Sequence, residues 1–159
     1  MSTNNPSIDP LMALLGQAER ERDVAVADMQ RGAEAHVAAQ CQVEQLVAYR
    51  REYEARFREQ FSQKSSIEIL QCYQGFSARL DQAITQQQQV TARAAERLEG
   101  LRGALRDQEL RVASVRKLLE RRLQELRLVA DRREQKQTDE FAARAAWSQL
   151  PHQPLAPAA

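Results

Sequence analysis

Proline is missing from the whole interior of this chain. All five prolines lie at positions 6, 10, 151, 154 and 157, and only five glycines occur in 159 residues, so nothing between Leu11 and Leu150 breaks a helix outright. Aromatic residues are scarce too: one Trp, three Tyr and four Phe are too few for the interior of a compact globular domain of this length. The only histidines, His36 and His152, leave no means of building a catalytic triad or a His-based metal site. Cys41 and Cys72 match no metal-ligand or redox spacing and read as small apolar residues of a reducing compartment. No glycine-rich phosphate loop occurs, and the carboxylates are scattered along the chain with no pocket to shift their pKa. The expectation is a protein that is not an enzyme and takes no cofactor, metal or small-molecule ligand.

Charge is balanced, with 23 basic and 22 acidic residues and a formal net charge of +1, so nucleic acid or an anionic membrane is not expected as the main partner. From Arg93 to Lys136 there are 13 basic residues against 8 acidic, a local excess of +5. The signs are interleaved, as in Arg116 with Glu120, Arg121 with Glu125 and Arg127 with Asp131, which reads as an ion-paired, solvated helix face before it reads as a polyanion site. The opening MSTNNPSIDP has neither the basic nor the apolar region of a secretory signal, and no run of about 18 apolar residues appears. The expected place is the cytosol, with any membrane association made through a partner.

What the chain has in abundance is Gln, Arg, Glu, Ala and Leu in heptad order. In "SIDPLMALL", Asp9 can serve as N-cap with Pro10 at the first helical position. A seam then recurs in steps of four and three: Leu11, Leu15, Ala18, Arg22, Ala25, Met29, Gly32, His36, Ala39, Val43, Leu46, Arg50, Tyr53, Phe57. "SQKSS", at 62–66, interrupts it, since small polar side chains compete for backbone hydrogen bonds, and Ser65 or Ser66 can cap a new helix with Glu68 in its first turn. The second seam runs Leu70, Tyr73, Ser77, Leu80, Ile84, Gln87, Thr91, Ala94, Leu98, Leu101, Leu105, Gln108, Val112, Val115, Leu119, Arg122, Leu126, Val129.

A short connection makes two long helices antiparallel neighbours. The fold class expected is therefore all-α: an antiparallel two-helix coiled-coil hairpin with helices over 10–61 and 66–147 and a turn at 62–65. A disordered N-terminus over 1–9 and a disordered Pro-rich tail over 148–159 complete the organisation. At 1.5 Å per residue the helices measure about 78 Å and about 123 Å, so the second overhangs the first by about 45 Å. Gly100 and Gly103 are soft points in the longer helix. With the turn centred between 63 and 64, facing positions sum to about 127. That register separates Cys41 from Cys72 by about 21 Å along the helices, too far for a disulfide.

The same register gathers aromatics from both helices just below the turn, where Tyr49, Tyr53, Phe57, Phe61, Tyr73 and Phe76 leave only Phe141 and Trp147 elsewhere. Beside the seam runs a second set, Gln42, Leu46, Tyr49 and Tyr53 on the first helix and Phe76, Leu80, Ala83 and Gln87 on the second, extended backwards by Ile69 and Cys72. Tyr49 and Phe76 lie off the seam. A helix that touches one partner needs a single stripe, so the wider apolar sector implies docking of another protein, self-association of two hairpins, or a denser core at the tip.

"AYRREY" at 48–53, "YQGFSARLDQAI" at 73–84 and "RREQKQTDEFAARAA" at 132–146, in that order and at these distances, resemble the flagellar export protein FliJ family over nearly the whole chain from Leu11 to Ala146. The resemblance implies a non-enzymatic stalk-like coiled coil of the flagellar type III export apparatus that links a hexameric export ATPase to an export-gate membrane protein and escorts export chaperones. It implies a gate-binding patch of Gln42, Leu46, Tyr49, Tyr53, Phe76, Leu80, Ala83 and Gln87, and an ATPase-facing end that includes Asp139, Glu140, Phe141 and Arg144. Gln87 stands where enteric relatives are expected to carry His. The resemblance further implies a cytoplasmic protein held peripherally at the inner face of the cell membrane. A virulence-injectisome stalk and a generic self-associating structural coiled coil are the alternative readings.

Overall fold

The computed structural model describes residues 8–63 and 66–149. Two helices account for them, α1 over Asp9–Gln63 and α2 over Ile67–Ser148, with no strand among the described residues. They pack against each other as an antiparallel pair of which the second is the longer, 82 residues against 55.

Each helix end has a local cause. The Ile8 carbonyl accepts the Met12 amide at 2.9 Å, so Ile8 takes the N-cap place, one residue ahead of the expected Asp9. Asp9 instead lies inside the first turn, where its carboxylate meets the positive end of the helix dipole. Pro10 also falls in that turn, where an absent N–H costs nothing. At the other end α1 continues past Phe61, because the Ser62 hydroxyl donates to the Glu59 carbonyl at 2.7 Å and so spends its competing hydrogen bond within the helix. The Ser66 carbonyl accepts the Leu70 amide at 3.2 Å and opens α2, with Glu68 in the first turn. Residues 64 and 65 of the expected turn lie outside the described residues, as do most of the expected N-terminus 1–9 and tail 148–159.

The chain packs as two units. The larger comprises Gly16–Val112, and the other joins Met1–Leu15 to Ala113–Ala159. Within the larger unit every seam position of α1 and α2 is at least partly covered, with Ala18, Gly32 and Ala39 buried on α1 and Leu80, Ile84, Leu98 and Val112 on α2. α1 thus offers small residues where α2 offers branched ones. The closest approach is at Gly32, where an added Cβ would meet the Leu101 Cδ1 at 2.6 Å and the Leu98 Cδ1 at 3.8 Å. Cross-helix ion pairs brace the larger unit, among them Arg50 with Asp81 at 2.7 Å and Arg111 with Glu21 at 2.6 Å.

The register differs from the expected one. Gln42, expected opposite residue 85, bonds Gln87, and Arg50, expected opposite residue 77, bonds Asp81. The added turn residues of α1 are the reason: a helix that ends at Gln63 rather than Phe61 centres the reversal later, and each α1 residue meets a position further along α2. α2 runs through Gly100 and Gly103 without interruption.

In the smaller unit Leu11 and Leu15 are partly covered, Val115 is buried, and Leu119 and Leu126 are partly covered. From residue 127 to residue 149 every residue is exposed. The expected pairing along this stretch is altered, because Arg122 rather than Arg121 takes Glu125, at 2.7 Å, and Arg127 with Asp131 forms no ion pair.

Candidate docking surface

Six aromatic rings of the 16–112 unit form one unbroken ladder across the two helices. Phe61 stacks on Phe57 at 5.3 Å between centroids, Phe57 on Tyr73 at 3.7 Å, and Tyr73 on Tyr53 at 5.6 Å. Tyr53 then meets Phe76 at 4.3 Å, and Phe76 receives Tyr49 edge-on at 6.3 Å. Rings at four-residue spacing on α1 interleave with rings three apart on α2, as neighbouring turns of packed helices require. The aromatics are therefore neither all core nor all surface. Tyr53, Phe57, Tyr73 and Phe76 are half-buried, whereas Tyr49 ends the ladder with 48% of its surface exposed.

Polar contacts hold the strip beyond Tyr49. The Gln87 amide donates to the Gln42 side-chain oxygen at 2.7 Å and approaches the Ala39 carbonyl at 3.5 Å, which fixes both glutamines across the seam. About two turns nearer the turn between the helices, the Arg50 guanidinium donates to Asp81 at 2.7 Å, and its Nε, shielded from solvent, stands 3.7 Å from Glu54. The hydrogen bond to Asp81 is the main influence raising the Arg50 pKa above its ordinary value, so the group is permanently charged. A charged residue at a seam position needs such a partner, and Asp81 provides it from just outside the α2 seam.

Tyr49 stands between two grooves. One, of about 430 Å³, is lined by Gln42, Gln45, Leu46, Tyr49 and Gln87. The other, of about 480 Å³, lies over Tyr53, Phe57, Ile69, Cys72 and Tyr73, with Ile69 and Cys72 exposed. Of the residues singled out in the sequence, Gln42 and Tyr49 are open to solvent, while Leu46, Tyr53, Phe76, Ala83 and Gln87 are half-buried. Leu80 is different: at 7% exposure it belongs to the core beside Ile84 and has little surface to offer a partner. Gln45 and the Arg50–Asp81 pair were not singled out. Gln45 carries no apolar signal, and Asp81 becomes a partner for Arg50 only in the observed register. Cys41 and Cys72 are both free and exposed.

Asp139, Glu140, Phe141 and Arg144 lie in the other unit, on the last turns of α2. All are exposed, Phe141 by 71%, as is Trp147 by 78%. No group of acidic residues, cysteines and histidines among the described residues could hold a metal ion, and no described helix is long and apolar enough to cross a membrane.

A family model described as flagellar FliJ protein matches residues 7–150. No curated protein and no solved structure matches the chain.

Proposed function

The chain belongs to the flagellar FliJ protein family, matched over residues 7–150, and is a coiled-coil protein of flagellar export; on that premise we propose that it is a non-enzymatic, stalk-like link between the hexameric export ATPase and the export gate, and an escort for export chaperones. The gate docks on the strip formed by Gln42, Leu46, Tyr49, Tyr53, Phe76, Ala83 and Gln87. The observation that carries this reading is Tyr49, a large aromatic left 48% exposed at the end of a packed ladder and flanked by grooves on both sides. Exposed aromatic anchors beside apolar grooves are what a partner protein uses as binding hot spots. Leu80 supports the strip from below.

The ATPase meets the last turns of α2, with Asp139, Glu140, Phe141 and Arg144. Support comes from the residues themselves: exposed Phe141 and Trp147 lie among charges of both signs, and apolar groups left open on a helix call for an outside surface. Mixed charges make many weak contacts that form and break readily, which suits a helix held inside a ring. The protein works in the cytoplasm and reaches the inner face of the membrane through these partners.

Two measurements on the purified chain test this. The full chain is expected to stimulate the export ATPase and to bind the gate's cytoplasmic domain. A chain ending at Thr138 keeps gate binding and loses stimulation, and Tyr49→Ala does the reverse. Loss of gate binding in the truncated chain with full stimulation retained would reverse the two assignments, and absence of both interactions in the full chain would leave a structural coiled coil.

A further inference from the structure

Away from the aromatic ladder, the larger unit carries a surface of opposite character. A groove of about 540 Å³ opens between α1 and α2 around Gly32. Its depth has a simple origin: Gly32 has no side chain, Ala94 has a single methyl, and Leu101 leans into the space beside Gly32. Around this apolar floor, in which Gly32 is buried and Ala94 and Leu101 are half-buried, stand the exposed Arg31, Arg93 and Arg97 and the half-buried Asp28, together with exposed Ala35.

The charges there do not cancel. Arg31 pairs with Asp28 on its own helix. Arg93 and Arg97, one turn apart on α2, make no ion pair among the described residues. The nearby Glu99 is engaged elsewhere, with Arg102 at 3.6 Å and Arg106 at 3.5 Å. Like charges at i and i+4 repel and weaken the helix that bears them, and among the described residues the one acidic group lining the groove, Asp28, is paired with Arg31. A ligand with negative charge relieves that repulsion.

We infer that this groove binds an acidic amphipathic helix of a partner protein, whose apolar side chains lie over Ala94 and Leu101 and whose carboxylates pair with Arg93 and Arg97. The apolar floor selects a helix over a nucleic acid, whose phosphates would find cations only along the rim. The planar forks of two arginines match carboxylates bidentately. The groove shares no residue with the strip around Tyr49, so this second surface is independent of the gate reading and can be occupied at the same time.

The test uses the full chain and a fluorescently labelled amphipathic peptide of repeating Leu, Ala and Glu, followed by polarisation. Binding is expected to weaken as salt rises. Arg93→Glu combined with Arg97→Glu should reduce affinity by about ten-fold or more through charge reversal. Ala35→Trp, at an exposed position on the groove's rim, should reduce it similarly by filling the groove. Arg121→Glu, an exposed arginine outside the groove, should leave it unchanged, and circular dichroism checks that every variant stays helical. Peptide binding that is absent, or indifferent to both groove variants, overturns the inference. So does tighter, Arg93- and Arg97-dependent binding of a single-stranded oligonucleotide or of phosphatidylserine vesicles, which would make the site a polyanion or lipid surface.

Discussion

Gly32 of α1 and Leu101 of α2 approach so closely that a Cβ on the glycine would stand 2.6 Å from the leucine Cδ1. Two effects oppose each other in Gly32→Ala. Ala gains about 1 kcal/mol in helix propensity over Gly, while the Leu101 methyl must swing aside. Because that methyl is the end of a flexible side chain, and the Leu98 atoms lie at ordinary contact distances, the two nearly cancel. Gly32→Ala is expected to unfold thermally within about 1 kcal/mol of the parent, whereas Gly32→Leu should lose about 1–3 kcal/mol by overpacking. Circular dichroism melts of the two variants measure the difference, and equal losses would show that Leu101 cannot yield.

Tyr49 and Phe76 touch edge-on, yet their substitutions should separate. Tyr49 is 48% exposed, so Tyr49→Ala should cost about 1 kcal/mol of stability or less. Phe76 is half-buried and lies 4.3 Å from Tyr53, so Phe76→Ala should cost about 1–3 kcal/mol, short of the 3–5 of a fully buried ring. Both should weaken binding to the gate by about 1–3 kcal/mol. Calorimetric binding compared with thermal melts decides the matter: gate affinity unchanged in a folded Tyr49→Ala variant would remove the docking role.

The Arg50–Asp81 pair crosses the hairpin on a partly exposed face, so its contribution should be small and should fade in high salt. The folded-state pKa of Arg50 is raised, chiefly by the Asp81 hydrogen bond. A raised cation pKa gives stability that is fully present below the unfolded value and lost only as pH climbs through the folded one. Both lie far above neutrality, so melts from neutral to mildly alkaline pH should show no change from Arg50. Asp81→Asn should lower the melting temperature more at low than at high salt, and an equal loss at both would mark a packing effect.

Removing the chain from Asp139 onward takes away described residues that are all exposed. Thermal unfolding should shift by less than about 0.5 kcal/mol, the usual range for surface changes, while stimulation of the ATPase is abolished. Loss of helix cooperativity in the shortened chain would instead assign Phe141 and Trp147 to folding.

Helix content, the antiparallel hairpin and the longer second helix were legible in the sequence, because a prolines-at-the-ends pattern and a seam repeating in steps of four and three admit little else. Every position chosen as seam from Leu11 to Phe57 and from Leu70 to Leu119 is at least partly covered, since burial in a two-helix fold follows largely from periodicity. Register did not follow. It hung on whether Ser62 would break α1 or spend its hydroxyl on the Glu59 carbonyl, a choice between two local hydrogen bonds that residue type leaves open. Once α1 ran to Gln63, the register decided everything that depends on facing pairs: Asp81 opposite Arg50, Gln87 bonded to Gln42, Leu101 over Gly32. The apolar stripe divided as that periodicity requires, Leu80 on the seam sinking into the core and Tyr49 off it staying half in solvent. Which residue of one helix meets which of the other is a different matter, because a facing pair exists only when both helices are in place.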